Sequence, residues 1–210
     1  MRSKEKTTNI IFVRHGMTGF PLDRIYCDEQ ENPPLNEAGE MQASAAATFL
    51  ADEPVAQIYA SPILRTNTTA NCIAKATGAP VELDSGLVER RFGIWEGLYF
   101  HEIEEQFPDE YLQWKTQPIE FAPEGGETVN HLAERVQSRI DSYIEKHEGQ
   151  TIVVVSHVGP IRVAATCAIR MPIDAYRWLR IDYAALTRID YGRRQNNLTY
   201  LNLTPYRHNP

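Results

Sequence analysis

The stretch IIFVRHGMT, from Ile10 to Thr18, decides how the rest of the sequence is interpreted. Its apolar run is too short for a typical helix and is rich in branched and aromatic residues, which predicts a buried β-strand. The strand ends at Arg14 and His15, and Gly16 follows at once. Because glycine permits a sharp turn and the close approach of another group, we expect His15 to face a cleft.

A second apolar run, TIVVVS from Thr151 to Ser156, also ends on a histidine, His157, and Arg162 follows five residues later. A single histidine is usually a surface or structural residue, so His15 alone would indicate little. Two strands that end alike indicate more, because ligands of open parallel sheets bind outside the carboxyl ends of the strands. We therefore expect the two pairs of histidine and arginine to converge on one site.

Length and composition are those of an ordinary globular protein. The 210 residues are enough for a well-buried core, and we expect one domain over residues 1–210. The formal charge of -7 argues against nucleic acid or an anionic membrane as partner, since both attract basic surfaces. Arginines outnumber lysines. Because arginine binds phosphate or carboxylate through two parallel hydrogen bonds, this bias permits a phosphate site without proving one.

The cysteines and the start of the chain show no sign of export. Cys27, Cys72 and Cys167 are widely spaced without a C-x-x-C pattern, which argues against a disulfide framework or a zinc site. The segment from Met1 to Thr8 is polar, and the apolar run after it is shorter than a signal-peptide core or a membrane span. We therefore expect a cytoplasmic protein.

Apolar spacing and capping residues predict the remaining elements. We expect Ser61 to cap a helix that has Pro62 at its first position and Arg65 in its first turn. The other predicted elements are a helix from Asn36 to about Pro54, strands at 55–60 and 81–83, a helix from Val129 to Gly149, a helix at 161–169, and a hairpin of strands at 184–189 and 198–203.

Arg65 and Arg162 both stand near the start of a predicted helix, where a cation opposes the positive end of the helix dipole. The arrangement costs stability unless an anion lies nearby. Two departures from the same local rule, each beside a strand end, are the pattern expected of functional positions. The alternative is that either side chain simply extends into solvent.

Between residues 98 and 124 the sequence becomes aromatic and acidic, and Pro108 divides it into two short helices. We expect this segment to be an insertion over the strand ends. Its aromatic residues form either a local core or the side wall or lid of the site. Trp95 and Tyr99 are the ones that we expect at an apolar wall.

The predicted strand ends contribute His15, His157, Arg14, Arg65 and Arg162. Several fixed positive groups without a thiolate describe an anion pocket, most naturally for a phosphoryl group. Paired histidines also occur in metal sites. Three arginines would repel a divalent cation, however, and the sequence has no H-x-H or H-E-x-x-H spacing. We therefore expect neither a metal nor a cofactor.

In such a pocket one histidine can attack phosphorus as a neutral imidazole, because surrounding positive charge lowers its pKa. The second histidine would stabilise charge on the phosphoryl oxygens. Glu89 is the best candidate for the general acid that protonates the leaving group, since burial raises the pKa of a carboxyl towards neutrality. Composition also permits Glu89 and Glu96 to be solvent-facing carboxylates paired with neighbouring arginines.

Six motifs resemble, in order, those of the histidine phosphatase superfamily, which includes the cofactor-dependent phosphoglycerate mutases. They are RHG with Thr18 at 14–18, PLNEAGEMQA at 34–43, SPILR at 61–65, LVERRFGIWEG at 87–97, GGET at 125–128 and SHVGPIR at 156–162. The resemblance implies that His15 is the phosphorylated nucleophile and that Glu89 is the proton donor. It implies that Arg14, Arg65 and His157 bind the phosphoryl group. The predicted catalytic residues are therefore His15, Glu89 and His157.

The resemblance also implies the fold, an α/β three-layer sandwich whose mainly parallel sheet has helices on both faces. Further phosphate contacts are expected from Thr18 and from the backbone at Val158 or Gly159. The expected substrate contacts are Arg24, Trp95, Tyr99 and Arg162. The family usually has an asparagine shortly after the RHG motif, whereas this sequence has Pro21, so contacts from that loop stay open.

Three functions are compatible with these residues. The first is a metal-independent phosphatase that hydrolyses a small organic phosphomonoester through a phosphohistidine on His15. The second is transfer of the phosphoglycerate mutase type, which should need extra basic residues in the insertion, where Lys115 is the only Lys or Arg. The third is a non-catalytic relative that binds phosphorylated ligands.

We expect the phosphatase, which the insertion also favours because it is similar to that of the short-insert phosphatase branch. The expected partner is a small phosphorylated metabolite, whose identity the sequence does not reveal. The predicted C-terminal strand pair offers an edge through which a homodimer could form.

Overall fold

The structure, a computed structural model, describes residues 6–26 and 31–207. Its strands are β1 (Thr8–Arg14), β2 (Val55–Ala60), β3 (Val81–Leu83), β4 (Thr151–Ser156), β5 (Leu186–Tyr191) and β6 (Asn196–Leu203). Within the described residues they form one six-stranded sheet in the order β3-β2-β4-β1-β5-β6. The first four strands pair in parallel, whereas β5 pairs antiparallel with both β1 and β6.

Helices cover both faces of this sheet. They are α1 (Glu37–Leu50), α2 (Leu64–Thr77), α3 (Phe100–Gln106), α4 (Pro108–Thr116), α5 (Val129–Lys146) and α6 (Val158–Ala168). Successive side chains of a strand point to opposite faces. Ile10 and Phe12 of β1 accordingly pack in one core cluster with α5 and α6, while Ile11 and Val13 pack in another with α1 and α2. The predicted three-layer α/β fold is confirmed.

The two histidine-bearing strands are neighbours at the centre of the sheet. β1 and β4 pair in parallel, and Arg14 lies opposite Ser156 in the register. His15 and His157 each come directly after these residues, so both leave the sheet at the same edge. The convergence expected from two similar strand ends therefore follows from a register set by two buried apolar runs.

The start of α2 differs from the sequence prediction. The helix begins at Leu64, and its N-cap, Ile63, makes no side-chain capping bond. Ser61 is fully buried and its hydroxyl lies against the ring of His157, so it is not available to cap a helix. Arg65 is the second residue of α2 and lies, as predicted, in the first turn.

Two other boundaries also differ. α6 begins at Val158 instead of Ile161, because Pro160 falls in the first turn, where its missing N–H leaves no helical bond unmade. β5 begins at Leu186 instead of Ala184, whose φ of 47° is left-handed and ends the extended conformation. The predicted hairpin is present, but β5 extends to Tyr191 instead of Ile189 and β6 begins at Asn196 instead of Leu198.

The insertion has its own small core. α3 and α4 meet at Phe107 and Pro108, close to the predicted break. Trp95 and Ile103 are fully buried in this cluster, against which Phe100, Phe107, Tyr111 and Trp114 pack. This satellite cluster joins α3 and α4 to Ile25 and Trp95, apart from the two core clusters that pack on the sheet.

The described residues show whether a helix could span a membrane and whether Cys72 and Cys167 are bonded. No helix within residues 6–26 and 31–207 is long and apolar enough to cross a membrane. Cys72 and Cys167 are free cysteines. Cys27 and the first five residues of the polar N-terminal segment lie outside the described residues.

Gly39, in the first turn of α1, lies against the backbone that follows His15. A Cβ atom at this position would lie 2.0 Å from the carbonyl oxygen of Met17. We expect Gly39→Ala to lower the free energy of unfolding by about 1–3 kcal/mol, because two backbone segments would have to separate. Thermal unfolding measures this, with Gly19→Ala as control because a Cβ atom there meets no other atom within 4 Å. Equal destabilisation by the two substitutions would contradict the prediction.

Candidate active site

The two histidines face each other at the edge of the sheet. Their ring centroids are 5.3 Å apart, with the rings in an edge-to-face arrangement. His15 is 3% exposed and His157 is 0% exposed. Rings at this separation can contact the same small tetrahedral anion, as the sequence analysis required.

Arg65 bridges the two rings. Its Nε donates to Nε2 of His15 at 3.3 Å, and its Nη2 donates to Nδ1 of His157 at 3.1 Å. The arginine is itself 1% exposed. Its place in the first turn of α2 thus brings a desolvated guanidinium between two imidazoles. An anion bound between the rings could also accept hydrogen bonds from this guanidinium.

The hydrogen bonds of His15 determine which nitrogen is reactive. Its Nδ1 lies 2.8 Å from the carbonyl oxygen of Gly16, which can only accept, so Nδ1 carries the proton. Nε2 therefore holds the lone pair. Burial, together with the charges of Arg65 and Arg14, lowers the pKa of His15 well below its ordinary value. At neutral pH the ring is an uncharged imidazole whose Nε2 is a potential nucleophile.

His157 is held in the opposite tautomer. Because Arg65 donates to its Nδ1, its Nε2 must carry the proton, which it donates to the hydroxyl of Ser61 at 3.0 Å. Burial and the charge of Arg65 lower the pKa of His157 well below its ordinary value. The sequence analysis missed this role of Ser61, since a serine before proline also looks like a helix cap.

Arg14 completes a group that we call the phosphoryl cup, consisting of Arg14, His15, Arg65 and His157. Its Nη1 donates to the carbonyl oxygen of Ile181 at 2.8 Å, and its guanidinium lies 3.8 Å from the ring centroid of Tyr183. Its Nε is buried and has no hydrogen-bond partner within the described residues. An anion bound in the cup could accept from such a donor.

Glu89 lies beside the cup. Its Oε1 accepts from the backbone N–H of Gly159 at 3.1 Å and from its neighbour Arg90 at 2.8 Å. Burial raises the pKa of Glu89, with these two hydrogen bonds opposing the shift. The carboxyl is thereby moved towards the range in which it can both give and take a proton near neutral pH. A side chain at position 159 would collide with Glu89, which explains the glycine.

The cup opens into a cavity of about 950 Å³ that reaches the insertion. Arg24, Val158 and Arg162 line this cavity, as expected. Arg24 is already engaged, since it donates to the carbonyl oxygen of Gly97 at 2.7 Å and pairs with Glu31 at 2.8 Å. Val158 is close to the cup because it is the first residue of α6, directly after His157.

Thr18 does not line the cavity wall. Its hydroxyl is buried and lies 2.7 Å from the phenol oxygen of Tyr26. The ring of Tyr26 lies 4.2 Å from the guanidinium carbon of Arg65. The structure therefore connects Thr18 to the cup through Tyr26, a residue of the Pro21 loop that the sequence analysis did not select.

The two aromatic residues selected for the apolar wall are also not on it. Trp95 is 1% exposed in the core of the insertion. Tyr99 packs beside Arg24, with its ring centroid 5.5 Å from the guanidinium carbon. The aromatic residues that line the cavity are Tyr26, Phe92, Phe100, Trp114 and Tyr176. Helical spacing identifies an aromatic cluster but does not determine which members face inward.

Metal binding is the other role that clustered histidines can have. Among the described residues, no group of three or more His, Cys, Asp or Glu side chains is placed to hold a metal ion. The cup instead brings two arginines to two histidines. Such a set of donors suits a phosphoryl group, because its oxygens accept hydrogen bonds from several sides.

Sequence comparison identifies related proteins over nearly the whole chain. The family model of the histidine phosphatase superfamily (branch 1) matches residues 10–204. A bifunctional protein of Mycobacterium tuberculosis is 36% identical over 206 residues, which cover 95% of this chain and 55% of that protein. The chain thus spans about half the length of these mycobacterial relatives. Phosphoserine phosphatase 1 of Hydrogenobacter thermophilus is 31% identical, with 93% of this chain and 92% of that protein covered.

Structure comparison gives the same result. The alpha-ribazole phosphatase of Shigella flexneri superimposes with a TM-score of 0.83 and 27% sequence identity. The match covers 92% of this chain and 96% of that one. Its sheet and helices are therefore arranged like those described above.

Proposed function

The chain belongs to the histidine phosphatase superfamily, and we propose that it is a metal-independent phosphatase of a small organic phosphomonoester, acting through a phosphohistidine on His15. The observation that carries the proposal is the pair of neutral imidazoles bridged by Arg65. The lone pair on Nε2 of His15 accepts a hydrogen bond from Arg65, and it becomes available to phosphorus when this guanidinium turns to the phosphoryl oxygens. The described free cysteines are compatible with a cytoplasmic location, which belongs to the same proposal.

The first half-reaction transfers the phosphoryl group to the protein. The lone pair of His15 Nε2 forms a bond to phosphorus while the bond from phosphorus to the ester oxygen breaks. Protonated Glu89 gives its proton to that oxygen, so the leaving group departs as a neutral alcohol. The Arg14 and Arg65 guanidiniums stabilise the phosphoryl oxygens. After Arg65 has turned away, His157 can donate to these oxygens in its other tautomer, with the proton on Nδ1 and the Ser61 hydroxyl donating to Nε2.

The second half-reaction returns His15 to its starting state. Ionised Glu89 takes a proton from a water molecule as the water oxygen attacks phosphorus. The bond from phosphorus to Nε2 breaks, and its electron pair returns to the imidazole. Orthophosphate leaves and Glu89 is again protonated. A carboxyl with a raised pKa is suited to both halves, since each needs a different protonation state.

A mutase is the second candidate, because arginines outside the cup also line the cavity. The insertion has few cations, and its Lys115 lies against the rings of Tyr111 and Trp114. Arg91 and Arg162, which lie outside the insertion, nevertheless line the cavity. An assay of 3-phosphoglycerate with its bisphosphate primer decides between the two functions.

A common phosphohistidine predicts a constant product ratio. In chelator and glycerol, we expect phenyl phosphate and p-nitrophenyl phosphate to give the same ratio of glycerol phosphate to orthophosphate. Both esters would form the same phosphohistidine, for which water and glycerol then compete as nucleophiles, so the ratio would not depend on the leaving group. Product analysis by phosphorus NMR measures the ratio. A ratio that changes with the leaving group would indicate direct attack by water, and loss of turnover in chelator would contradict metal independence.

A further inference from the structure

Arg162 is held on the cavity wall outside the phosphoryl cup. It is the fifth residue of α6, and its Nε donates to the carbonyl oxygen of Leu179 at 2.7 Å. Within residues 6–26 and 31–207, its two terminal amino groups donate no hydrogen bond. One end of the guanidinium is thus anchored to backbone while the other is available in a cavity. An anchored arginine is preorganised to bind an anion, because few rotamers remain to be lost.

The surroundings of Arg162 do not neutralise it. Burial lowers its pKa from the ordinary value, and Tyr176 and Glu89 oppose the shift. Glu89 is the acid that faces it, but this carboxyl accepts from the backbone of Gly159 and Arg90. In the first half-reaction Glu89 must also be protonated. Among the residues that the structure describes, Arg162 forms no ion pair, and a partly desolvated cation left unpaired in this way indicates a missing anion.

Position then indicates the chemistry of that anion. Arg162 and Glu89 line the same cavity and are close enough for their charges to interact, and Glu89 must reach the ester oxygen. An anion at Arg162 therefore belongs to the leaving group. The two free amino groups of one guanidinium can pair both oxygens of a planar carboxylate, whereas a second phosphate paired in the same way would keep a further charged oxygen that needs another donor.

The rest of the cavity indicates that the leaving group also has an apolar part. Phe92, Phe100 and Trp114 contribute an aromatic wall, and Ile94, which also lines the cavity, is 43% exposed. The volume of about 950 Å³ is within the range of cavities that hold drug-sized ligands. A short polar leaving group would leave this wall in contact with water.

We propose that Arg162 binds a carboxylate of the leaving group, and that the substrate is a carboxylated phosphomonoester with a flat apolar body. The inference rests on the proposed phosphatase function and adds the substrate class. Arg162 acts as a specificity residue, and no chemical step passes through it. The carboxylate lies on the guanidinium while the apolar body lies on the aromatic wall.

Two esters of the same size test the carboxylate. We compare 4-carboxyphenyl phosphate with its uncharged analogue, 4-carbamoylphenyl phosphate, by kcat/KM and by Kd from calorimetry. The protein should prefer the carboxylate ester by roughly 10- to 100-fold, the effect of a charge-assisted bidentate hydrogen bond. Arg162→Met should remove most of this preference. Arg162→Lys should keep part of it, since Lys retains the charge without the fork.

Arg91→Met is the matched control, because it removes the same charge from an exposed position on the cavity wall. It should keep the preference. Loss of the preference in this variant instead of in Arg162→Met would overturn the assignment. An equal loss on both esters in Arg162→Met would overturn it too, since Arg162 would then act on the transferred phosphoryl group.

The apolar body is tested with O-phosphoserine, which has the carboxylate without a ring. We expect 4-carboxyphenyl phosphate to bind at least about tenfold more tightly, and Trp114→Ala to reduce that difference. Equal binding of the two would refute the apolar requirement. Turnover of both aryl esters without preference would refute this inference alone. Absent turnover with retained preference in Kd would instead refute the proposed phosphatase and support the carboxylate site.

Discussion

Replacing His15 by alanine should lower kcat/KM for every phosphomonoester by roughly 10,000-fold or more, because the reacting nitrogen itself is lost. His157, the other imidazole of the cup, carries on Nε2 a proton that it donates to Ser61, and in the proposed mechanism its Nδ1 donates to the phosphoryl oxygens instead of attacking phosphorus. Turnover of p-nitrophenyl phosphate in chelator measures the effect, and His131→Ala is the control because His131 is exposed on α5.

Two further measurements separate loss of the nucleophile from loss of the fold. The wild-type protein should form an acid-labile, base-stable phosphoramidate on histidine during turnover, and His15→Ala should form none. The variant should still bind orthophosphate, since Arg14 and Arg65 of the cup remain. Residual turnover within tenfold of the wild type would remove His15 from the mechanism, whatever its position.

The lowered pKa of His15 gives this prediction a pH dependence. Burial and two arginines disfavour the imidazolium, so the reactive neutral form persists as the pH falls below the ordinary histidine value. For p-nitrophenyl phosphate, whose leaving group needs little protonation, the histidine limb of kcat/KM should therefore lie well below pH 6.5. A limb at the ordinary value would mean that the free protein does not hold the ring as described.

The central sheet and the cup could be predicted because their signals are local. Each of two short apolar runs ends in a histidine, and burial on both faces is what makes such runs apolar throughout. The register that places Arg14 opposite Ser156 then brings the two rings together. Arg65 could be predicted for a similar reason, since a cation in the first turn of a helix breaks a local rule.

The residues that support the cup were missed because their contacts are distant in sequence. Ser61 contacts His157 across 96 positions, and Arg14 lies on Tyr183, a residue from the other end of the chain. A serine followed by proline has the same appearance whether it caps a helix or orients an imidazole. Only the packing of α2 against β4 distinguishes the two roles.

In the insertion, the sequence predicts an aromatic cluster but not the position of each ring. Its aromatic residues are numerous enough to form both a core and a wall, and the sequence does not assign them. Trp95 belongs to the core, whereas Trp114 lines the cavity while packing edge-on against it, 5.9 Å away between ring centroids. α3 and α4 have only seven and nine residues, so tertiary contacts determine which of their aromatic side chains are buried and which line the cavity.

Glu89→Gln should have an effect that depends on the leaving group. Alkyl phosphates need a proton on the departing oxygen, so their turnover should fall by roughly 100- to 10,000-fold. The wild-type rate for these esters should also fall as the pH rises through the raised pKa of Glu89, because the protonated form is the acid. That basic limb should be absent in the variant, whose amide does not titrate.

With p-nitrophenyl phosphate the same variant should reveal the second half-reaction. Departure of p-nitrophenolate needs little protonation, so phosphorylation of His15 should stay comparatively fast, whereas attack by water loses its base. Stopped-flow measurement should show a burst of one p-nitrophenolate per active site, followed by slow turnover and accumulation of phosphohistidine. Glu96→Gln is the matched control, because Glu96 lines the same cavity but accepts from the backbone of Phe92.

The contrast between leaving groups is what identifies Glu89 as acid and base, since a merely structural role would slow all esters alike. Its hydrogen bonds to Gly159 and Arg90 hold the carboxyl beside the cup. An amide retains one acceptor there but can neither give nor take the proton. Equal losses on alkyl and p-nitrophenyl esters, without a burst, would assign the proton transfer to another group and leave Glu89 a positioning residue for α6.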